Sequence, residues 1–172
     1  MRISIIFLIA LVSSCSLLPK QWPAPALPML ANKYLSKPLP SQIKIEVIDK
    51  QNYQLLCLME QQKDRFTVVG LSGFGQRLFS AVYRDKLTIK NNRKIAGVLT
   101  VQQLMLDLQL IYWPAQSIKR MLDEVNQAFV FKSTSQQRII TQNNQEYIHI
   151  RYQNGTIQLQ NFKLNYHLQI TL

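Results

Sequence analysis

Few of the 172 residues are of a type, and in a pattern, that could carry a reaction. The two histidines, His149 and His167, both fall on the polar side of alternating segments, where a sheet residue facing water is expected rather than a base or a ligand. Ser72, Ser80 and Ser117 lack the surroundings of a strand-to-helix nucleophile elbow. The nine acids are scattered, and no two are spaced as an acid and base pair. Two cysteines exclude a disulfide framework and a cysteine-rich zinc site. Cys57 has apolar neighbours and reads as a buried, inert thiol. No Gly-rich phosphate loop is present. The expectation is a protein that is not an enzyme and uses no metal or cofactor.

Cys15 differs from Cys57 in its setting. Met1-Arg2 precedes an apolar run from Ile3 to Val12, followed by Ser13-Ser14-Cys15. Ten residues of helix span about 15 Å, half the thickness of a hydrocarbon core of about 30 Å. The run therefore reads as a secretory signal, residues 1–14, rather than a membrane span. Val12-Ser13-Ser14-Cys15 resembles the bacterial lipobox: an aliphatic residue, two small ones, then Cys. That resemblance implies that Cys15 becomes the mature N-terminus and is acylated on its sulfur and amine. Each buried methylene contributes ~0.8 kcal/mol, so several chains hold a protein firmly to a bilayer. Ser16, in place of Asp, resembles the enterobacterial pattern for outer-membrane sorting.

Six of the seven prolines lie between Pro19 and Pro40. Their spacing forbids a continuous helix or a central strand. Residues 15–40 are read as a lipidated tether, with a reach of about 75 Å if fully extended at ~3.1 Å per residue. Its later half carries Leu27, Leu30, Tyr34, Leu35 and Leu39, apolar residues able to pack on a domain.

Residues 41–172 must position whatever else the chain does. Alternation of period two marks strands near 43–47, 53–59, 66–71, 76–83 and 86–90. Helical spacing follows. Thr100 and Gln103 fit a capping box, and Pro114 ends one helix and starts another. Strand patterning returns near 128–132, 138–141, 146–152, 156–160 and 163–172, with Asn154-Gly155 as a type I′ hairpin signal. Strands without alternating helices argue against a parallel sheet. The expected fold is mainly β (α+β): about ten antiparallel strands in a curved sheet or half-open barrel, with a central two-helix insertion as its lid. Such a shape can enclose an apolar cavity. Its lining candidates are Leu78, Leu104, Leu108, Trp113, Met121, Leu168 and Ile170.

Two surface features stand out. Gly70, Gly73 and Gly75 fall within six residues and bracket Phe74 at a strand–strand turn, where polar residues are usual. An apolar residue there is either folded back on the core or offered to a partner. Arg84, Lys86, Lys90, Arg93 and Lys94 cluster with one acid, Asp85. Such a cluster generically suggests nucleic acid. Behind a secretory signal, the alternatives are a solvated hairpin tip or contact with anionic lipid headgroups.

The lipobox, Gly73-Phe74-Gly75-Gln76 before an apolar strand, and Leu108-Gln109-Leu110-Ile111-Tyr112-Trp113-Pro114 together resemble one family of small Gram-negative lipoproteins of unknown function. That family in turn resembles the lipoprotein-localisation receptor LolB in the order of its elements over residues 42–172. The likeness implies a half-open barrel with an apolar cavity for acyl chains. It also implies that Phe74 stands where the receptor has a protruding leucine, though without that turn's proline. The implied setting is periplasm-facing, on the outer membrane, with lipid or lipoprotein cargo, a LolA-like carrier and no nucleic acid. Genes for specialised lipid assembly lie near those of the small family, which widens the cargo beyond lipoproteins. The alternative is an accessory lipoprotein with a filled core that docks a protein partner.

The net charge of +11 is shared unevenly. Without Arg2, Lys20, Lys33 and Lys37, the body keeps 16 cations against 9 anions, and the helices are near neutral. The excess falls on the strands and their turns.

Overall fold

The computed structural model describes residues 27–30, 38–48, 52–62, 64–91, 94–125 and 129–172. The signal segment, Cys15 and Arg93 lie outside the described residues. Five strands come first: β1 (Gln42–Ile48), β2 (Tyr53–Gln62), β3 (Arg65–Leu71), β4 (Arg77–Tyr83) and β5 (Leu87–Asn91). A short hairpin of β6 (Lys94–Ala96) and β7 (Leu99–Thr100) leads into α1 (Val101–Tyr112) and α2 (Ala115–Glu124). The last five strands are β8 (Phe129–Ser133), β9 (Gln137–Gln142), β10 (Gln145–Gln153), β11 (Thr156–Asn161) and β12 (Tyr166–Thr171).

Ten strands form one antiparallel sheet in the order β5-β4-β3-β2-β1-β12-β11-β10-β9-β8. β1 pairs with β12, with Ile45 opposite Ile170, so the two halves of the chain meet at the centre of the sheet. β5 and β8 are its edges, and the sheet does not close. The fold is mainly β with a two-helix insertion, as the patterning indicates. The β6–β7 hairpin is an addition that the cation-rich sequence around Lys94 does not signal.

Alternation decides which residues fill the inside. Ile43, Ile45 and Val47 on β1, Leu55, Cys57 and Met59 on β2, and Tyr166, Leu168 and Ile170 on β12 are buried at every second position. The Asn154-Gly155 turn has both φ angles positive, at 41° and 79°, as a type I′ hairpin requires. Asn143 and Asn144, at 52° and 62°, make the equivalent turn between β9 and β10. The last strand begins at Tyr166 rather than near Lys163, because residues 162–165 form a turn.

α1 starts as its sequence suggests: Thr100 Oγ1 accepts from the Gln103 N–H at 3.1 Å. The Gln103 side chain does not return to the cap, however. It donates to Asp107 Oδ1 at 2.9 Å. Ten of the helix's twelve residues are buried. A helix buried on nearly every side, its polar Gln103, Asp107 and Gln109 included, lies inside a fold rather than over it. Strands from both halves of the sheet reach it. Phe66 of β3 packs edge-on against Trp113 just beyond its end, with ring centroids 5.2 Å apart. Tyr166 of β12 bonds Asp107, and Arg138 of β9 and Tyr152 of β10 donate to the Leu110 and Ile111 carbonyls at its last turn. These last two bonds satisfy carbonyls that a helix end otherwise leaves open. α1 is thus the filling of the sheet. α2, by contrast, buries only Ile118, Met121 and Leu122 and pairs Lys119 with Asp123 on its outer side.

Candidate functional site

All neighbouring strands are antiparallel, so the turns sort to two rims. The β3–β4 turn, the β9–β10 turn and the β11–β12 turn share one rim. The β2–β3, β4–β5 and β10–β11 turns share the other. Phe74 is therefore on the first rim, with Arg77, Lys90 and Lys163, while Arg84 and Lys86 are on the second. Among the described residues, Arg84 and Lys86 are thus parted from Lys90 by the length of a strand. Arg84 is held by Asp64 at 3.1 Å across two turns of the second rim. Lys94 opens β6, after the first-rim end of β5.

Phe74 is fully exposed, at 101 % of its reference surface. Its turn is built around Ser72. The Ser72 hydroxyl accepts from the Phe74 N–H at 3.3 Å and the Gln76 N–H at 3.2 Å. The Ser72 N–H donates to the Gln76 carbonyl at 2.8 Å, and the Gly75 N–H to the Ser72 carbonyl at 2.9 Å. Gly75 has φ +76°, the left-handed region that favours glycine. Four bonds inside five residues hold the aromatic outward, with no proline in the turn. The bracing residue, Ser72, was legible only as a small polar neighbour of the glycines.

The interior candidates are placed as follows. Leu104, Leu108, Trp113, Leu168 and Ile170 are fully buried, and Met121 nearly so. Side chains with no accessible surface touch protein on every side, so the interior is packed around these five. Leu78 is half-buried at a β-bulge, where Gly70 faces Phe79 and Leu71 faces Arg77, and it packs against the edge of the core. Two open grooves lie on the surface. One of about 360 Å³ on the second rim is lined by Arg65, Val82, Arg84, Asp85, Lys86 and Thr88. The other, about 330 Å³ on the first rim, involves Glu146, Tyr147, Phe162 and Lys163.

Sequence patterning misses the polar interior. Asp107 is fully buried and accepts from Tyr166 Oη at 2.5 Å and from Gln103 Nε2. Burial pushes its carboxyl up to about 7, against the lowering effect of those two bonds. The chain continues from Asn161 Nδ2 to Tyr166 Oη at 3.2 Å, and the Leu164 N–H donates to Asn161 Oδ1 at 2.9 Å. It runs from the helix to the β11–β12 turn.

The histidines differ from the expectation of free, water-facing residues. His149 is nearly buried, with Nε2 3.0 Å from Gln137 Oε1 and Arg151 and Glu146 against its Nδ1. Burial, then Arg151, lowers its pKa against the raising effect of Glu146. Burial and Arg151 also lower that of His167. Gln160 lies between the two across β11, so the histidines stand about two strand spacings or ~10 Å apart in the backbone. No group of three or more His, Cys, Asp or Glu side chains among the described residues is placed to hold a metal ion. Cys57 is buried, and burial pushes its thiol up to about 12. No described helix is long and apolar enough to cross a membrane.

An open ten-stranded antiparallel sheet wrapped on a buried helix, with a braced aromatic turn on one rim, defines the class of domain. Residues 41–172 match the family described as protein of unknown function (DUF3261), and the chain belongs to it. No curated protein matches the chain.

Proposed function

We propose that this protein is an outer-membrane lipoprotein, anchored through Cys15 and facing the periplasm, that engages acyl chains of a lipid or lipoprotein and helps pass them into the membrane. The observation that carries the proposal is Phe74, an aromatic ring wholly in water on a turn braced by its own hydrogen bonds. Burying such a ring in a bilayer is favourable, and a rigid turn loses little entropy on doing so. The order of elements, similar to that of LolB, supports the same function, with a LolA-like carrier as the upstream partner. Because the interior is packed around Leu104, Leu108, Trp113, Leu168 and Ile170, acyl chains enter there as α1, α2 or residues 27–30 give way.

A second function is favoured by that packing: an accessory lipoprotein with a filled core that docks a protein. One experiment separates them. The chain from Ser16 onward is purified, and co-purifying acyl chains are sought by mass spectrometry. Retained or exchangeable acyl chains support lipid handling. Their absence, with a photocrosslinker at Phe74 yielding one protein adduct and no lipid adduct, supports docking.

A further inference from the structure

We infer that the β11–β12 turn, carrying Phe162 and Lys163, is a second membrane contact, so that the protein meets an anionic bilayer with two turns of its first rim. The inference rests on the proposed role of Phe74 and extends it to residues that nothing in the sequence singles out. Phe162 is 41 % exposed at a turn, one of the few large apolar side chains left in water. Antiparallel pairing places its turn at the same end of the sheet as Phe74, four strand spacings or roughly 19 Å along the rim. Two apolar anchors that far apart fix the tilt of a body against a surface, which one anchor cannot do.

The second turn is built as firmly as the first. Asn161 is fully buried, and its carbonyl oxygen holds the Leu164 N–H within the turn. Its amide is tied through Tyr166 to Asp107 on the central helix. The Phe162 N–H donates to the Tyr147 carbonyl at 3.1 Å. Lys163 lies 5.5 Å from the Tyr147 ring centroid, beside Phe162. The ring's backbone therefore cannot swing away from the rim without breaking a buried polar chain.

Charge selects the partner. On the strands and turns of this rim the exposed cations are Arg77, Lys90 and Lys163, against the acid Glu146, among the described residues. Cations beside apolar anchors suit anionic headgroups above acyl chains, each worth a modest attraction near the surface. The opposite rim also carries cations, Arg84, Lys86 and Lys132, but there Arg84 is paired with Asp64 and Asp85 lies beside Lys86.

The test uses the full-length, acylated protein in vesicles of phosphatidylethanolamine and phosphatidylglycerol. Single cysteines replace Phe74, Phe162, Lys163 or, on the far rim, Asp85, and carry an environment-sensitive fluorophore; Cys57 is shielded by burial. Circular dichroism checks that each variant folds, and position 163 reports on the turn if replacing Phe162 does not. The expected result is a blue-shifted emission at 74 and at 162 or 163 that brominated lipid quenches, with 85 remaining aqueous. A shift at 74 with 162 and 163 aqueous overturns the second contact and leaves the role of Phe74 standing. Aqueous behaviour at all four positions overturns both.

Discussion

Gln109, near the end of the buried helix, and Leu30, from the proline-rich segment, form a closed pair. The Leu30 N–H donates to Gln109 Oε1 at 2.8 Å, and Gln109 Nε2 donates to the Leu30 carbonyl at 2.8 Å. A side-chain amide thus serves the backbone as a neighbouring strand would. Tyr83 Oη donates to the Met29 carbonyl at 3.2 Å, and Leu27 and Leu30 are buried. What composition marks as tether is, at residues 27–30, part of the core.

Replacing Gln109 with Leu leaves the Leu30 N–H and carbonyl buried without partners. Each orphaned group costs about 1–3 kcal/mol, so a loss of about 2–4 kcal/mol is expected in urea unfolding. A loss below about 0.5 kcal/mol would show that the segment finds other partners or is not docked in solution.

The strands and the helix boundaries were legible because period-two and helical spacing are local signals, as in Ile43-Ile45-Val47 and in Thr100 with Gln103. The route of α1 was not. Its apolar side chains suggested a face, whereas Gln103, Asp107 and Gln109 make the remaining side buried as well. Their partners are Leu30 and Tyr166, distant in sequence, and no local pattern reveals such pairings. Phe74 was legible as an anomaly in its turn. Phe162 was not, because its exposure depends on where β12 begins. The cations grouped in sequence parted because β5 carries Lys90 to the rim opposite Lys86.

Asp107 makes stability depend on pH. Its carboxyl ordinarily titrates near 3.8 and is pushed up to about 7 in the fold, by burial above all. Between those values the folded protein holds a proton that the unfolded chain releases. Stability contributed by the neutral acid is therefore full below about pH 4 and is lost as pH rises to about 7, by on the order of 2–4 kcal/mol. Asp107→Asn keeps the shape and cannot ionise. It should approach the wild type at pH 5 and exceed it at pH 8 in urea midpoints. A constant difference between the two pH values would show that the carboxyl ionises freely in the fold.

Gly70 sits opposite Phe79 on the next strand, and a Cβ there would lie under 3.0 Å from the Phe79 ring carbons. The ring covers the glycine and cannot retreat, since Phe79 is itself buried. Gly70→Ala should cost about 1–3 kcal/mol through overpacking. Adding Phe79→Leu should recover part of that loss if the clash is the cause. An additive double variant in thermal unfolding would place the cost in the backbone instead.

Docking of residues 27–30 also shortens the proposed tether. Met29 meets Tyr83, at the rim opposite Phe74. Residues 16–26 then span at most about 40 Å, while β4 separates the rims by about 24 Å. With Cys15 acylated as proposed, the bilayer holding it is within reach of Phe74, with modest slack. Deleting residues 17–24 leaves three, with a reach of about 11 Å. The shortened protein should stay bound to vesicles through its anchor, yet a fluorophore at position 74 should become aqueous. Restoring eight Gly-Ser residues should return the blue shift, because length and not sequence is what the contact needs. A fluorophore that stays buried in the shortened protein would mean that residues 27–30 leave the core at the membrane. Gln109→Leu would then have no effect on where Phe74 sits.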